Sequence, residues 1–359
     1  MDETRNIAYY RGEFENILLP FDLETGEILI NDPDYRTQRL LKPGDKVLTA
    51  EQLKAYQEKL RREKEDKENR QENFVQQGRG VQQPMGQMKQ STLHYLMTLY
   101  PMIDYDEKPI QINGKRANSS MISNYFKLGN KAGGLVLQDL VDNDVLRVIK
   151  GRGKTKYYTS TGKYVIKGEF KDPHDYTVKV KQEKMQEIIK RVEEETQIYR
   201  EKRRKEQRKK GEKEDDLELY PLSLLAAAVP FFHFQTFLLC KNYNEDILNG
   251  KESVVEALKA TPKIMKHLSK TALWRLVTGQ PVNKMRPHQR EKLSIYFEIL
   301  IQAGAIAQWG GRKNLYFIHP DLVFVSRKVK DEVWYEMVKV MFGQSDDKEL
   351  TVEEEEAEI

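Results

Sequence analysis

Two short runs in this chain pair glycine with fixed cations: Gly151-Arg152-Gly153-Lys154 and Gly310-Gly311-Arg312-Lys313. Glycine lets a backbone turn sharply, and Arg and Lys carry charge that meets phosphate, so both runs offer contact with a polyanion. The first run, continued by Thr155, ends like a phosphate-binding loop. Such a loop needs a glycine five positions before the Gly of its Gly-Lys pair, where this chain has Val148. It also needs a helix to follow, and Tyr157-Tyr158 favours a strand. A turn between two strands is the better reading. The histidines His94, His174, His233, His267, His288 and His319 show no metal-ligand spacing. No serine, cysteine or carboxylate group reads as a nucleophile with its base. No enzyme activity, metal or cofactor is therefore expected.

The elements that must carry the first run occupy residues 131–167. The stretch opens as a short helix with Leu135, Leu137, Leu140 and Val141 at helical spacing, closed by Asp142-Asn143-Asp144. Val145, Leu146, Val148 and Ile149 then begin a β-rich run that breaks at the glycine-cation tip, resumes at Tyr157-Tyr158, and after a second turn continues with Tyr164 to Ile166. Shifting the sequence by 160 residues sets Leu137 on Phe297, Leu140 on Leu300, Val141 on Ile301, Leu146 on Ile306, Gly151 on Gly311 and Arg152 on Arg312. Identity is low, yet helix, turn and tip stay in register, which predicts a tandem duplication.

Charge agrees with a polyanionic partner. The net charge is +4, but residues 344–359 carry eight acids against Lys348, a local −7, so the body of the chain is near +11. That tail reads as disordered and solubilising. A single cysteine, Cys240, excludes an internal disulfide framework and a multi-cysteine zinc site. The first ten residues, MDETRNIAYY, lack a secretory signal pattern, and a cytoplasmic location is expected.

In chain order, residues 1–75 read as a hairpin around Glu24-Thr25-Gly26, pairing 17–19 with 28–30, followed by a charged helical arm from Ala50 capped by Thr49 and Gln52. Residues 76–88 (QQGRGVQQPMGQM) read as a flexible linker. The first domain, 89–170, has a helix through Leu93, Leu96, Met97 and Tyr100 that Pro101 stops, then a short strand at 110–112. A second helix follows, capped by Ser119 or Ser120 and ending at Gly129-Asn130. Residues 171–216 form a long charged helix with a thin seam of Met185, Ile188, Ile189, Val192 and Tyr199. Within 217–343, the stretch 222–240 holds 14 apolar residues in 19, long enough for a membrane span. Pro230, His233 and Gln235 favour instead two core helices meeting at the proline. Helices at 254–258 and 264–276 follow, the latter begun by Pro262 and ended by Gly279, and Pro287 opens the duplicate of the first groove helix. A final amphipathic helix at 332–342 closes the core or pairs with another chain.

Helix, turn, helix and basic hairpin are together the layout of a winged helix-turn-helix, in which the second helix enters the major groove and the hairpin tip touches the backbone. Residues 131–167 and 287–327 resemble the winged domains of MarR-type regulators. The run 315–322, Leu-Tyr-Phe-Ile-His-Pro-Asp-Leu, is similar to the wing and following turn in winged-helix replication proteins of Gram-positive plasmids and phages, with His319 where that family favours Asn. The expected fold is mainly α with small β-wings, two winged domains joined by the long helix. The expected DNA contacts are Asn130, Lys131, Gln138, Lys150, Arg152, Lys154 and Lys156 in the first domain, with Asn118 and Ser120 also facing the groove. In the second they are Arg286, His288, Gln289, Arg290, Lys292, Arg312 and Lys313. The resemblance implies DNA binding in a mobile element or its host and does not separate regulator from initiator; the expected role is a duplex-DNA-binding homodimer that regulates transcription of a phage or plasmid-like element. An origin-binding replication initiator, meeting a replication protein through the N-terminal arm, and a protein-interaction scaffold remain alternatives.

Overall fold

A computed structural model of the chain describes residues 7–11, 18–22, 47–48 and 73–343, except 79, 81, 106–107, 169, 171–175, 215–216, 249, 252, 262, 310–314 and 326–330. The chain divides into two compact units, Met1–Glu72 and Asn73–Ile359. In the first, strand β1 (Ile7–Arg11) pairs antiparallel with β2 (Leu18–Asp22) and parallel with β3 (Val47–Leu48), in the order β2-β1-β3. The expected hairpin is thus displaced: Leu18–Asp22 pairs with the upstream strand, Leu19 facing Tyr10. Ile7, Tyr9 and Tyr10 are themselves good strand formers, a signal the reading around Glu24-Thr25-Gly26 overlooked. Residues 28–30 and the charged arm lie outside the described residues.

The second unit combines helices with small sheets. β4 (Phe74–Gly78), β9 (Val165–Ile166), β10 (Thr177–Lys181) and β13 (Val323–Phe324) form an antiparallel sheet in the order β13-β10-β4-β9. This sheet corrects the linker reading, because residues 76–78 are strand and α1 (Gln82–Met85) follows. Composition misled because the glutamines are paired at long range: the Tyr100 hydroxyl donates to Gln77 Oε1 at 2.9 Å, and Met85 and Met88 are buried. The sheet draws strands from before the first expected domain, from its end, from the expected long-helix segment and from within the second. Buried residues of the stretches 89–170 and 217–343 belong to one continuous core within this unit.

The first copy of the repeat contains α2 (Gln90–Leu99), the two-stranded β5 (Gln111–Ile112) and β6 (Lys115–Arg116), α3 (Ser119–Tyr125), α4 (Asn130–Asp142), β7 (Leu146–Lys150) and β8 (Lys156–Ser160). α5 (Gln182–Lys210) buries Met185, Ile188, Ile189 and Val192 against its own unit and ends at Gly211 with φ 67°. Its first side chain, Gln182, donates to the carbonyls of Tyr100 and Ile103 at 2.8 and 2.9 Å.

α6 (Leu222–Ala228) is wholly buried and packs against α2. The expected second helix beyond Pro230 does not form. A 3-10 turn, Val229–Phe231, leads into extended chain bridged to Phe317 and His267, since Pro230 removes a helical donor. No helix among the described residues is long and apolar enough to cross a membrane. α7 (Val254–Ala260), α8 (Lys270–Thr278), α9 (Pro287–Gln302), β11 (Ile306–Gln308), β12 (Tyr316–Ile318) and α10 (Glu332–Gly343) complete the unit. α8 begins at Lys270 rather than at Ile264, because the Ser269 hydroxyl accepts the Ala272 N–H at 3.1 Å and supplies the cap; Gly279 ends it as expected.

Candidate nucleic-acid interface

The geometry of the first copy begins at a cap. Asn118 Oδ1 accepts the Met121 N–H at 3.0 Å and starts α3, a role the sequence reading gave to Ser119 or Ser120. That use and its partial burial take Asn118 out of the groove-facing set, while Ser120 is exposed. α3 ends at Phe126, and the left-handed residue of the turn is Lys127 (φ 56°), not Gly129, which instead precedes α4 as its N-cap. Four residues, 126–129, therefore separate two helices that touch at Gly133 and Ser123.

α4 buries Gly133, Val136, Leu137 and Leu140. Leu135, one of the apolar positions at helical spacing, is 64% exposed. It lies between Lys131 and Gln138 at positions i, i+4 and i+7, so the three share one open face, with Asn130 exposed at its start. Gln138 Nε2 donates to Asp142 Oδ1 at 2.7 Å, which orients the amide along that face.

β7 and β8 pair from Leu146–Ser160 to Lys150–Lys156. The tip is closed by the Gly151 N–H to the Thr155 carbonyl at 2.9 Å, and Gly153 takes φ 63°. A Cβ on Gly151 would stand 2.6 Å from the Tyr157 ring, so a side chain there would have to displace that ring. Lys150, Arg152, Lys154 and Lys156 are all exposed, and among the described residues none has an ion-pair partner. By contrast, Lys127 pairs with Glu193 at 2.5 Å and Lys163 with Asp144 at 3.0 Å.

The second copy repeats the end of this arrangement with a 160-residue offset. The Asn143, Asp144 and Val145 amides donate to the carbonyls of Asp139, Val141 and Leu140 at 3.1, 3.0 and 3.0 Å. Ala303, Gly304 and Ala305 donate to Ile299, Ile301 and Leu300 at 2.9, 3.0 and 2.9 Å. Asp144 and Gly304 both take positive φ, 58° and 70°. The start differs, since residues 279–286 join α8 to α9, twice the length of the first copy's turn.

The expected contacts at the start of α9 are largely committed within the unit. Gln289 Oε1 accepts the Arg286 N–H at 2.9 Å, and Arg290 Nε donates to the Met285 carbonyl at 3.2 Å. Lys292 lies 5.9 Å from the Tyr296 ring centroid; burial lowers its affinity for a proton, with Glu218 pulling the other way. Arg203 of α5 reaches Glu291 at 3.6 Å. Arg286 and His288 are exposed, and Arg312 and Lys313 lie outside the described residues.

The buried histidines serve the core. His94 accepts the Leu222 N–H at 3.3 Å, and burial, aided by the Arg200 charge, lowers its pKa to about 3. His233 and His319 are each lowered to about 4, chiefly by burial. Cys240 is buried and its thiol is pushed up to about 12 by desolvation. Among the described residues no group of three or more His, Cys, Asp or Glu could hold a metal ion.

No protein-family model matches the chain, and neither the curated proteins nor the solved structures provided a significant match.

Proposed function

We propose that residues 89–170 act as a winged helix-turn-helix that reads duplex DNA, with the open face of α4 in the major groove and the β7–β8 tip on the phosphate backbone. The observation that carries this reading is the coincidence, in one short segment, of the Lys131–Leu135–Gln138 face with four exposed hairpin cations that have no ion-pair partner among the described residues. Lys131 and Gln138 supply hydrogen-bonding groups for base edges, and Leu135 supplies an apolar surface suited to a thymine methyl. The wing cations position the protein without reading sequence. The role assigned is a sequence-specific regulator of transcription in a phage or plasmid-like element.

A second reading applies to the second copy. Its helix start is occupied by Gln289, Arg290 and Lys292 in internal contacts, which favours a scaffolding role for α9 over base reading.

The test is affinity for pooled fragments of the source genome at several salt concentrations, beside an Arg152→Ala/Lys154→Ala variant. The expected result is selective binding whose log–log salt slope flattens by about 2 in the variant. Fragments from promoters support regulation, and clustered repeats at an origin support an initiator. Absence of selective binding at moderate salt refutes DNA reading.

A further inference from the structure

The hairpin β5–β6 is not needed to complete the helix-turn-helix, yet it is rigidly built. Asn113 and Gly114 take φ 50° and 72°, the left-handed pair of a two-residue turn that matches the twist of its strands. Ile112 pairs with Lys115 and Gln111 with Arg116. Below them the Ala117 N–H donates to the Ile110 carbonyl at 2.8 Å, and Ile110 and Ala117 are buried. The Ile110 N–H donates in turn to the Tyr158 carbonyl at 2.8 Å, the Thr159 hydroxyl donates to the Lys108 carbonyl at 2.8 Å, and Asn118 bridges Tyr157. The base of the hairpin is therefore seated on β8, two residues from Lys156 where that strand begins.

What this platform presents is Lys115 and Arg116, both exposed and, among the described residues, without a carboxylate partner. Asp104, the carboxylate tied to this hairpin, is held at its base by Gln111 Nε2 at 2.7 Å and by the Tyr105 N–H at 2.8 Å. A pair of unneutralised cations on a preorganised turn loses little conformational freedom on meeting a polyanion, whereas cations on a loose loop would have to be ordered.

We propose that β5–β6 is a second phosphate clamp, in which Lys115 and Arg116 grip the DNA backbone at a point separate from the β7–β8 tip. The proposal rests on the DNA-reading role of α4. The clamp carries no sequence information and adds two phosphate contacts.

The experiment uses the full chain and a fragment selected by the wild type. Affinity is measured over a salt series for wild type, Lys115→Ala/Arg116→Ala and Arg152→Ala/Lys154→Ala, with hydroxyl-radical footprints of each complex. The expected result for the hairpin variant is a salt slope shallower by about 2, with loss of one protected backbone segment that the wing variant retains. If the hairpin variant keeps both slope and footprint while the wing variant loses them, the clamp is refuted and DNA reading stands. If the wild type selects no fragment, DNA reading fails and the clamp with it. Matching circular dichroism spectra and melting temperatures establish that the hairpin variant is folded.

Discussion

A Cβ atom on Gly133 would lie 2.2 Å from the Ser123 hydroxyl and 2.9 Å from Ser123 Cα, so α3 and α4 cross at a distance only glycine permits. One residue further along the same helix, a Cβ on Gly134 would have nothing within 4 Å.

This contrast gives opposite expectations for neighbouring glycines. Gly134→Ala should stabilise the unit by up to about 1 kcal/mol through helix propensity alone. Gly133→Ala should destabilise it by about 1–3 kcal/mol despite the same propensity gain, because the α3 backbone must move. Chemical denaturation of both variants decides the matter, and equal effects would show that the crossing is loose.

Leu135 and Leu137, two residues apart, are expected to behave differently. Leu137→Ala removes a fully buried side chain and should cost about 2–5 kcal/mol. Leu135→Ala should leave stability within about 0.5 kcal/mol, since its side chain is mostly in water. If α4 reads DNA, the Leu135 variant changes selectivity among fragments while its salt slope stays that of the wild type.

Arg290 separates the two copies. Its guanidinium hydrogen-bonds the Met285 carbonyl, so Arg290→Ala should lower stability by about 0.5–1.5 kcal/mol. Fragment affinity should fall less than in the Arg152→Ala/Lys154→Ala variant. The reverse order would make α9 the principal reader.

Acid sensitivity should follow from His94, His233 and His319. Their folded pKa values, about 3, 4 and 4, lie below the ordinary 6.5. The unfolded chain thus binds more protons between these limits, and stability is full above pH 6.5 and falls as pH drops toward 4. Each histidine contributes on the order of a few kcal/mol to that loss. Melting temperatures at pH 7 and pH 5 test the sign, and a His94→Gln variant should show a smaller drop than the wild type.

Local sequence was enough for the elements whose physics is local. The α9 start at Pro287, the Gly279 stop, the buried seam of α5 and the repeated helix-turn-strand follow from fixed backbone angles and from apolar residues recurring at helical period. The Asn113-Gly114 turn, next to the expected strand at 110–112, is an equally strong local hairpin signal. Tertiary structure decided what depends on partners distant in sequence. Gln77 is a strand residue because Val178 and Val165 pair with it on either side, Leu135 is exposed because Gly133 brings Ser123 close on the other side, and Lys292 is half-buried with Tyr296 beside it. Composition and spacing fix which residues can pair or bury themselves; only the packed chain determines which of them are left facing water.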